Sequence, residues 1–135
     1  MPYRWDDDYG ARLGVLRRDD PFGEVRWFEI DPCYVFHVAN AYDNERRITV
    51  QAVRYPELWR DNGGFEADGV MWTWKIDLQN GTVSESQLDD RVVEFPRIDD
   101  RLATLPARYA VSVGNSSLVR HDLTTGAAEE HRFGN

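Results

Sequence analysis

The sequence predicts an all-β protein built from antiparallel sheets, and three observations support that fold class. Short runs of β-branched and aromatic residues recur along the whole chain, separated by clusters of Asp, Asn, Gly and Pro. Helical character is weak and confined to residues 55–61. One hairpin pattern occurs twice at a fixed offset, which is typical of the blades of a β-propeller.

Ten strands are predicted, each bounded by turn residues. The first two flank an Asp-Asp-Pro turn, and the third is an apolar run that indicates a mostly buried strand. In the fifth, Trp72 and Trp74 alternate onto one face, where core packing is the expected role. The seventh ends at Pro96. In chain order the strands lie at residues 12–16, 25–30, 34–38, 48–53, 71–76, 82–87, 92–95, 108–113, 118–122 and 127–133.

The repeated hairpin pattern relates residues 74–81 to residues 119–126. Both copies read as a basic residue, any residue, Asp-Leu, two polar residues and Gly. The offset is 45 residues from Asp77 to Asp122, and again from Gly81 to Gly126. In each copy we expect Asp-Leu to end a strand and Gly to supply the positive-φ residue of the turn.

The period also predicts how many blades the chain contains. A period of 45 residues in a chain of 135 gives two to three blades, whereas closed propellers have about four to eight. Residues 1–135 are therefore predicted to form a single partial propeller segment, either part of something longer or able to self-associate through exposed sheet edges.

Composition excludes some partners. The formal net charge is −8, so no nucleic-acid partner is expected, because phosphate backbones require a basic surface. The acidic run at residues 6–8 lacks the spaced oxygen ligands of a calcium loop and is expected to be solvated. Cys33 is the only cysteine, which fits a reduced, cytoplasmic setting and a buried structural thiol better than a nucleophile.

The sequence has three histidines that are candidates for chemistry. For His121, inside the second hairpin copy, and His131, in a polar stretch, a surface or hairpin role is expected. His37 is different because it lies within the apolar run of the third strand. A buried imidazole needs partners for its nitrogens, so His37 is either a hydrogen-bonded core group or a metal ligand.

Glu94 is the second candidate, because it is a carboxylate embedded in the apolar seventh strand. A buried Glu needs a cation or several hydrogen-bond donors to stay ionised. A metal-binding imidazole usually donates its other N–H to a carboxylate or a carbonyl. His37 and Glu94 are therefore a candidate ligand and its hydrogen-bonding partner, although spacing alone does not bring them together.

Five stretches, in this order, resemble the carotenoid cleavage oxygenases, a family that includes apocarotenoid oxygenases, stilbene-cleaving relatives and the retinoid isomerase of the eye. FHVANAY and EFPRI together are specific for this resemblance. The five are RLGVLRR at 12–18, WFEI at 27–30, FHVANAY at 36–42, WKIDL at 74–78 with Gly81, and EFPRI at 94–98.

The resemblance implies a seven-bladed β-propeller with an axial Fe(II) held by four histidines, some of which donate to glutamates. His37 matches one iron-ligand histidine, and Glu94 matches the glutamate that supports that same histidine. The implied reaction is scission of a conjugated C=C bond of an apolar polyene by O₂, giving two carbonyl fragments. The other three ligand histidines have no counterpart in this sequence, and His121 does not match a ligand position.

The resulting expectation is an interior part of a carotenoid-cleaving Fe(II) dioxygenase that is inactive as 135 residues alone. Its location is expected to be cytoplasmic, with peripheral membrane contact in the full-length form. Two alternatives stay open. One is a non-catalytic propeller arc that serves in assembly, and the other is a sugar- or peptide-binding β-sandwich that uses Trp59, Trp72 and Trp74.

Overall fold

The computed structural model describes residues 3–60 and 67–134. Within them it has ten strands and one short 3-10 helix, Asp100–Leu102. The predicted Asn-Gly-Gly turn at 62–64 lies outside the described residues. The strands are β1 Ala11–Val15, β2 Arg26–Ile30, β3 Val38–Asn44, β4 Arg47–Arg54, β5 Val70–Asp77, β6 Thr82–Val92, β7 Glu94–Arg97, β8 Tyr109–Gly114, β9 Ser117–Asp122 and β10 Ala128–Arg132.

The strands form three antiparallel sheets. Two have four strands each, in the sequential orders β3-β4-β5-β6 and β7-β8-β9-β10, and β1 and β2 form a two-stranded hairpin. A four-stranded sheet in which each strand pairs with the next one along the chain is the architecture of a propeller blade. The prediction of two to three antiparallel blades is confirmed. We call β3–β6 the first blade and β7–β10 the second blade.

The repeated hairpin has the same turn in both blades. In the first blade Asp77 Oδ1 accepts from the N–H groups of Gln79 and Asn80, both at 3.0 Å. The Gly81 N–H donates to the Asp77 carbonyl at 2.9 Å, and Gly81 has a φ of +69°.

In the second blade Asp122 Oδ1 accepts from Thr124 and Thr125 at 2.9 and 3.1 Å, and Gly126 has a φ of +76°. Asp77 and Asp122 end β5 and β9, as predicted. An aspartate that binds the amides of its own turn is a common way to close a hairpin. The similarity of the two stretches therefore reflects a shared turn geometry.

The core lies between the two blades. Val53 and Met71 of the first blade are fully buried together with Ala110 and Val119 of the second. Burying a side chain the size of Met71 contributes about 1.5–3 kcal/mol. On the opposite face of β5, Trp74 is buried and its ring centroid lies 6.4 Å from that of Trp72. The predicted shared face of the two tryptophans is confirmed.

Of the three tryptophans on which the β-sandwich alternative depends, Trp59 and Trp74 are buried, at 4% and 1% exposed, and Trp72 is partly buried. Tryptophan rings that bind sugars or peptides must be accessible to the ligand, and the rings of Trp59 and Trp74 are used in packing.

The weak helical signal at 55–61 is wrong for its described part, residues 55–60, which contain no helix.

The predicted strand at residues 34–38 is wrong. Tyr34 pairs only in an isolated bridge with Tyr55, and the ladder begins at Val38, the first residue of β3, which pairs with Ala52. The rings of Tyr34 and Phe36 pack edge-on against Trp59, with centroids 4.7 and 5.8 Å away. Aromatic packing of this kind competes with continuation of the ladder.

Pro96 does not end the seventh strand, since β7 runs through it to Arg97. β7 is an edge strand of the second blade, and an edge position tolerates the missing N–H of proline.

Within the described residues no helix is long and apolar enough to cross a membrane.

Candidate functional site

His37 lies immediately before β3, and its carbonyl accepts from the Val53 N–H at 3.2 Å. This bond fixes the histidine backbone to the end of β4. The side chain is 46% exposed, so the expectation of a buried histidine is wrong. The physical reason is that the chain leaves the ladder before Val38, so the imidazole is not enclosed between sheets.

Glu94 is the first residue of β7, and its side chain is 19% exposed. The pairing of β7 with β8 is interrupted by a bulge between Glu94 and Arg97. Phe95 within the bulge has a φ of +51°, which is uncommon for a bulky residue. This turned backbone directs the Phe95 N–H to the Glu94 carboxylate, where it donates to Oε2. Unusual backbone at a bulge often re-aims a side chain at a functional site.

The structure brings the two side chains together. His37 Nδ1 lies 2.8 Å from Glu94 Oε2, although 57 residues separate them in the chain. Glu94 Oε2 also accepts from the Phe95 N–H, so we assign Nδ1 as the donor of this contact. In the neutral imidazole this leaves the lone pair on Nε2. The Phe95 ring also lies against the imidazole, with the two centroids 4.7 Å apart.

The topology explains how such distant residues meet. β3 and β7 are the first strands of the two blades, each at the edge of its own sheet, and they contact each other. Asn40 of β3 reinforces this contact from a buried position. Its amide donates to the Leu105 carbonyl at 2.8 Å and accepts from the Thr104 N–H at 3.2 Å. The asparagine of the FHVANAY stretch therefore attaches the loop that follows β7 to β3.

The chemistry of the donor set fits one ligand of a metal site. An imidazole whose Nδ1–H is held by a carboxylate presents Nε2 as a metal ligand. Within residues 3–60 and 67–134, no group of three or more His, Cys, Asp or Glu side chains is placed to hold a metal ion. The pair thus fits a single ligand with its supporting carboxylate, and not a complete coordination sphere.

The other two histidines are placed differently from His37. His121 lies in the β8–β9 hairpin but is fully buried, so of the expected surface or hairpin role only the surface position is wrong. Its Nε2 lies 3.0 Å from Asp89 Oδ2 at the end of the first blade. Successive side chains of a strand point to opposite faces. His121 is two residues after the buried Val119 and therefore lies on the same inward face of β9. His131 lies exposed on β10, as expected.

Cys33 is partly buried and forms no disulfide. Burial raises the pKa of its thiol, although the nearby Arg54 acts in the opposite direction. A thiol held protonated is a poor nucleophile, which agrees with the predicted structural role.

Sequence reasoning missed Tyr55, which lies at the end of β4 close to Glu94. Burial, followed by the Glu94 carboxylate, raises the pKa of Tyr55 to about 12. The sequence did contain one indication of such a residue: a buried Glu94 needs hydrogen-bond donors nearby. That requirement does not say which residue meets it, because Tyr55 approaches Glu94 only in the folded chain.

Known proteins resemble this chain over nearly its whole length. A sequence model of the family described as retinal pigment epithelial membrane protein matches residues 1–135. A carotenoid cleavage oxygenase of Mycobacterium tuberculosis is 40% identical over 148 residues, which cover 95% of this chain and 30% of that protein. An isoeugenol monooxygenase of Pseudomonas putida is 30% identical over 118 residues, covering 80% of this chain and 25% of the relative.

Solved structures agree with the sequence comparison. The cobalt-substituted apocarotenoid oxygenase of Synechocystis superposes with a TM-score of 0.79 and 25% identity, over 92% of this chain and 29% of that one. The chain thus spans no more than about a third of the length of the relatives it matches. The ordered match of the family stretches, the paired blades and these relatives lead to one conclusion: the chain belongs to the retinal pigment epithelial membrane protein family, that of the carotenoid cleavage oxygenases.

Proposed function

We propose that this chain forms part of a non-haem Fe(II) dioxygenase that cleaves a conjugated C=C bond with O₂. The substrate class is a carotenoid, an apocarotenoid or a related polyene or stilbenoid. The observation that carries the proposal is the 2.8 Å contact between His37 Nδ1 and Glu94 Oε2. The relatives support it, since their names refer to cleavage of carotenoids and to oxygenation of isoeugenol.

In this proposal His37 binds Fe(II) through Nε2, and Glu94 accepts the Nδ1 proton. The iron supplies the oxygen chemistry when it is bound. Glu94 fixes the tautomer and the ring orientation, and its negative charge offsets part of the positive charge that neutral imidazole ligands leave on a metal. Phe95 packs against the imidazole and restricts its rotation.

The 135 residues alone are proposed to be inactive. The sequence has three histidines. His121 is buried against Asp89, and His131 is exposed on β10. A single imidazole with one supporting carboxylate is too small a ligand set to hold Fe(II) at cellular concentrations. Residues 1–135 are proposed to act as one partial propeller segment whose iron is held by further histidines in the complete fold.

The test uses the purified chain and its His37→Ala variant. Each is incubated anaerobically with Fe(II), desalted and analysed for iron, then given an apocarotenal and O₂. We expect far less than one iron per chain and no cleavage in either protein. Stoichiometric iron in the unmodified chain, or cleavage products from it, would contradict the proposed inactivity.

A second candidate function is non-catalytic assembly, and the second blade provides an observation that favours it. Its outward face exposes large apolar side chains on β8 and β9, whereas the β10 edge is charged and exposed. A charged edge strand discourages edge-to-edge pairing, so self-association is proposed through the apolar face. We call this surface the β8–β9 face; it consists of Tyr109, Val111, Val113 and Leu118.

A further inference from the structure

The Glu94 carboxylate has one oxygen whose role is not explained by the contact with His37. Oε2 accepts from His37 and from the Phe95 N–H. Oε1 is buried and has no hydrogen-bond partner of regular geometry among the described residues. A buried carboxylate oxygen left without a donor is unfavourable, because nothing replaces the hydrogen bonds to water that it has lost. The surroundings of Oε1 should therefore contain a group able to donate to it.

The hydroxyl end of Tyr55 reaches the neighbourhood of Glu94 because residue 69 is a glycine. A Cβ built on Gly69 would lie 2.5 Å from Tyr55 Cζ, the carbon that carries the hydroxyl. The Gly69 carbonyl in turn accepts from the Val93 N–H at 3.0 Å, and Glu94 is the next residue. The tyrosine hydroxyl is thus placed beside the start of β7 by a gap that a larger residue would fill.

The Tyr55 ring is held firmly in this gap. Tyr55 is 7% exposed. Its backbone N–H and carbonyl both bond to Tyr34 at 2.9 Å. The Phe36 ring packs edge-on against it, with centroids 5.4 Å apart at 90°. Because the pKa of the phenol is raised to about 12, the hydroxyl stays protonated at neutral pH and acts as a donor.

We propose that Tyr55 is a positioning residue: its hydroxyl donates to Glu94 Oε1 and thereby holds the carboxylate in the orientation that receives the His37 Nδ1 proton. Gly69 provides the space that admits the phenol. The inference rests on the proposed function, because it assigns to Tyr55 a role that acts on the candidate iron ligand through Glu94. Tyr55 itself touches neither the metal nor the substrate in this scheme.

The experiment measures the tautomer of His37 in the metal-free chain by imidazole ¹⁵N NMR at mildly alkaline pH. The unmodified chain should show His37 mainly in the Nδ1–H form. In Tyr55→Phe the Nδ1–H fraction should fall by about half, because the hydrogen bond at one ring nitrogen sets the tautomer. Gly69→Ala, which keeps the hydroxyl but fills its space, should have the same effect. Tyr34→Phe is the matched control and should leave the fraction unchanged.

The outcomes separate this inference from the function on which it rests. An unchanged tautomer in Tyr55→Phe, together with a clear loss of the Nδ1–H form in Glu94→Ala, overturns the role of Tyr55 and leaves the His37–Glu94 pair intact. A predominant Nε2–H form in the unmodified chain overturns the pair itself. Should both Tyr55→Phe and Gly69→Ala fail to fold, the unmodified chain decides: a protected Tyr55 hydroxyl proton with a cross-peak to the Glu94 side chain supports the role, and its absence refutes it.

Discussion

His121 is fully buried where the two blades meet, and it is paired with Asp89. Its second ring nitrogen, Nδ1, is buried and has no hydrogen-bond partner among the described residues. Burial lowers the pKa of His121, although the Asp89 carboxylate opposes that effect. For Asp89 burial acts to raise the pKa, but bonds from Arg91 and the Asp90 N–H outweigh it and lower the pKa. The folded chain therefore keeps His121 neutral beside an ionised aspartate.

The pH dependence of stability follows from this pair. Unfolded His121 has the ordinary pKa of 6.5, and the folded value lies below it. Between these two values the unfolded chain binds more protons, so the free energy of unfolding falls as pH is lowered through 6.5. The slope for one proton is at most about 1.4 kcal/mol per pH unit. Urea unfolding at a series of pH values from neutral to mildly acidic measures it.

The control for this prediction is a pair of substitutions. His121→Gln removes the titrating ring but keeps an N–H donor, and it should reduce the slope strongly. His131→Gln alters an exposed histidine on the adjacent strand β10 and should leave the slope unchanged. Equal slopes in all three proteins would show that His121 is not the group responsible.

At the residue scale, the sequence was informative for residues whose own chemical requirements do not depend on how the blades pack. Glu94 in an apolar strand demanded a donor, and the family stretches identified His37 and Glu94 as related positions. The burial of His121 and the approach of Tyr55 to Glu94 were not predictable. Both depend on how one blade packs against another, and no local pattern in the chain encodes that packing.

At the scale of elements, the two repeated hairpins differ in what surrounds their glycines. Gly81 and Gly126 both have positive φ. A Cβ at Gly81 would meet nothing within 4 Å, whereas one at Gly126 would lie 3.1 Å from the Leu88 carbonyl oxygen. An alanine at Gly81 would therefore meet only backbone strain, whereas an alanine at Gly126 would meet the same strain and a close steric contact.

Gly81→Ala should lower the free energy of unfolding by about 1–2 kcal/mol, the cost of a left-handed conformation for an L-residue. Gly126→Ala should cost more, because it adds a close contact with the Leu88 carbonyl to the same strain. Urea unfolding of both variants measures the difference. A cost for Gly81→Ala equal to or larger than that for Gly126→Ala would contradict the assignment.

Strands were predictable from sequence wherever apolar and polar residues alternate between turn signals, as in the hairpin that ends at Asp122. The strand predicted at 34–38 is wrong because the rings of Tyr34 and Phe36 pack against Trp59, and before Val38 the backbone pairs only in the isolated bridge at Tyr34. An apolar run by itself does not distinguish a ladder from an aromatic cluster. His37 consequently lies before a strand and is accessible, which suits a ligand better than the buried position that was expected.

At the scale of the whole molecule, both faces of the second blade are partly apolar. Ala110 and Val119 point into the core, whereas Val113 on the β8–β9 face is 45% exposed. Arg108 and Arg120 lie over the Tyr109 ring at 4.9 and 4.8 Å from its centroid. Several exposed apolar side chains on one face, bordered by charged residues, are a feature of protein–protein contact surfaces.

We expect the chain to self-associate through this face, with a sedimentation mass that rises with concentration above the monomer mass of 15.7 kDa. Val113→Lys places a charge in the contact and should return the chain towards the monomer. Leu105→Lys makes a comparable change at an exposed loop position and should not. A monomer at all concentrations in the unmodified chain would exclude this association.

A chimera with a relative shows whether His37 acts as an iron ligand of a carotenoid-cleaving enzyme. The segment of the mycobacterial relative that matches this chain is replaced by these 135 residues, and iron content and carotenoid cleavage are measured together. We expect an iron-loaded, active chimera that loses both properties in His37→Ala and keeps both in His131→Ala. Full iron content and activity in the His37→Ala chimera would contradict it.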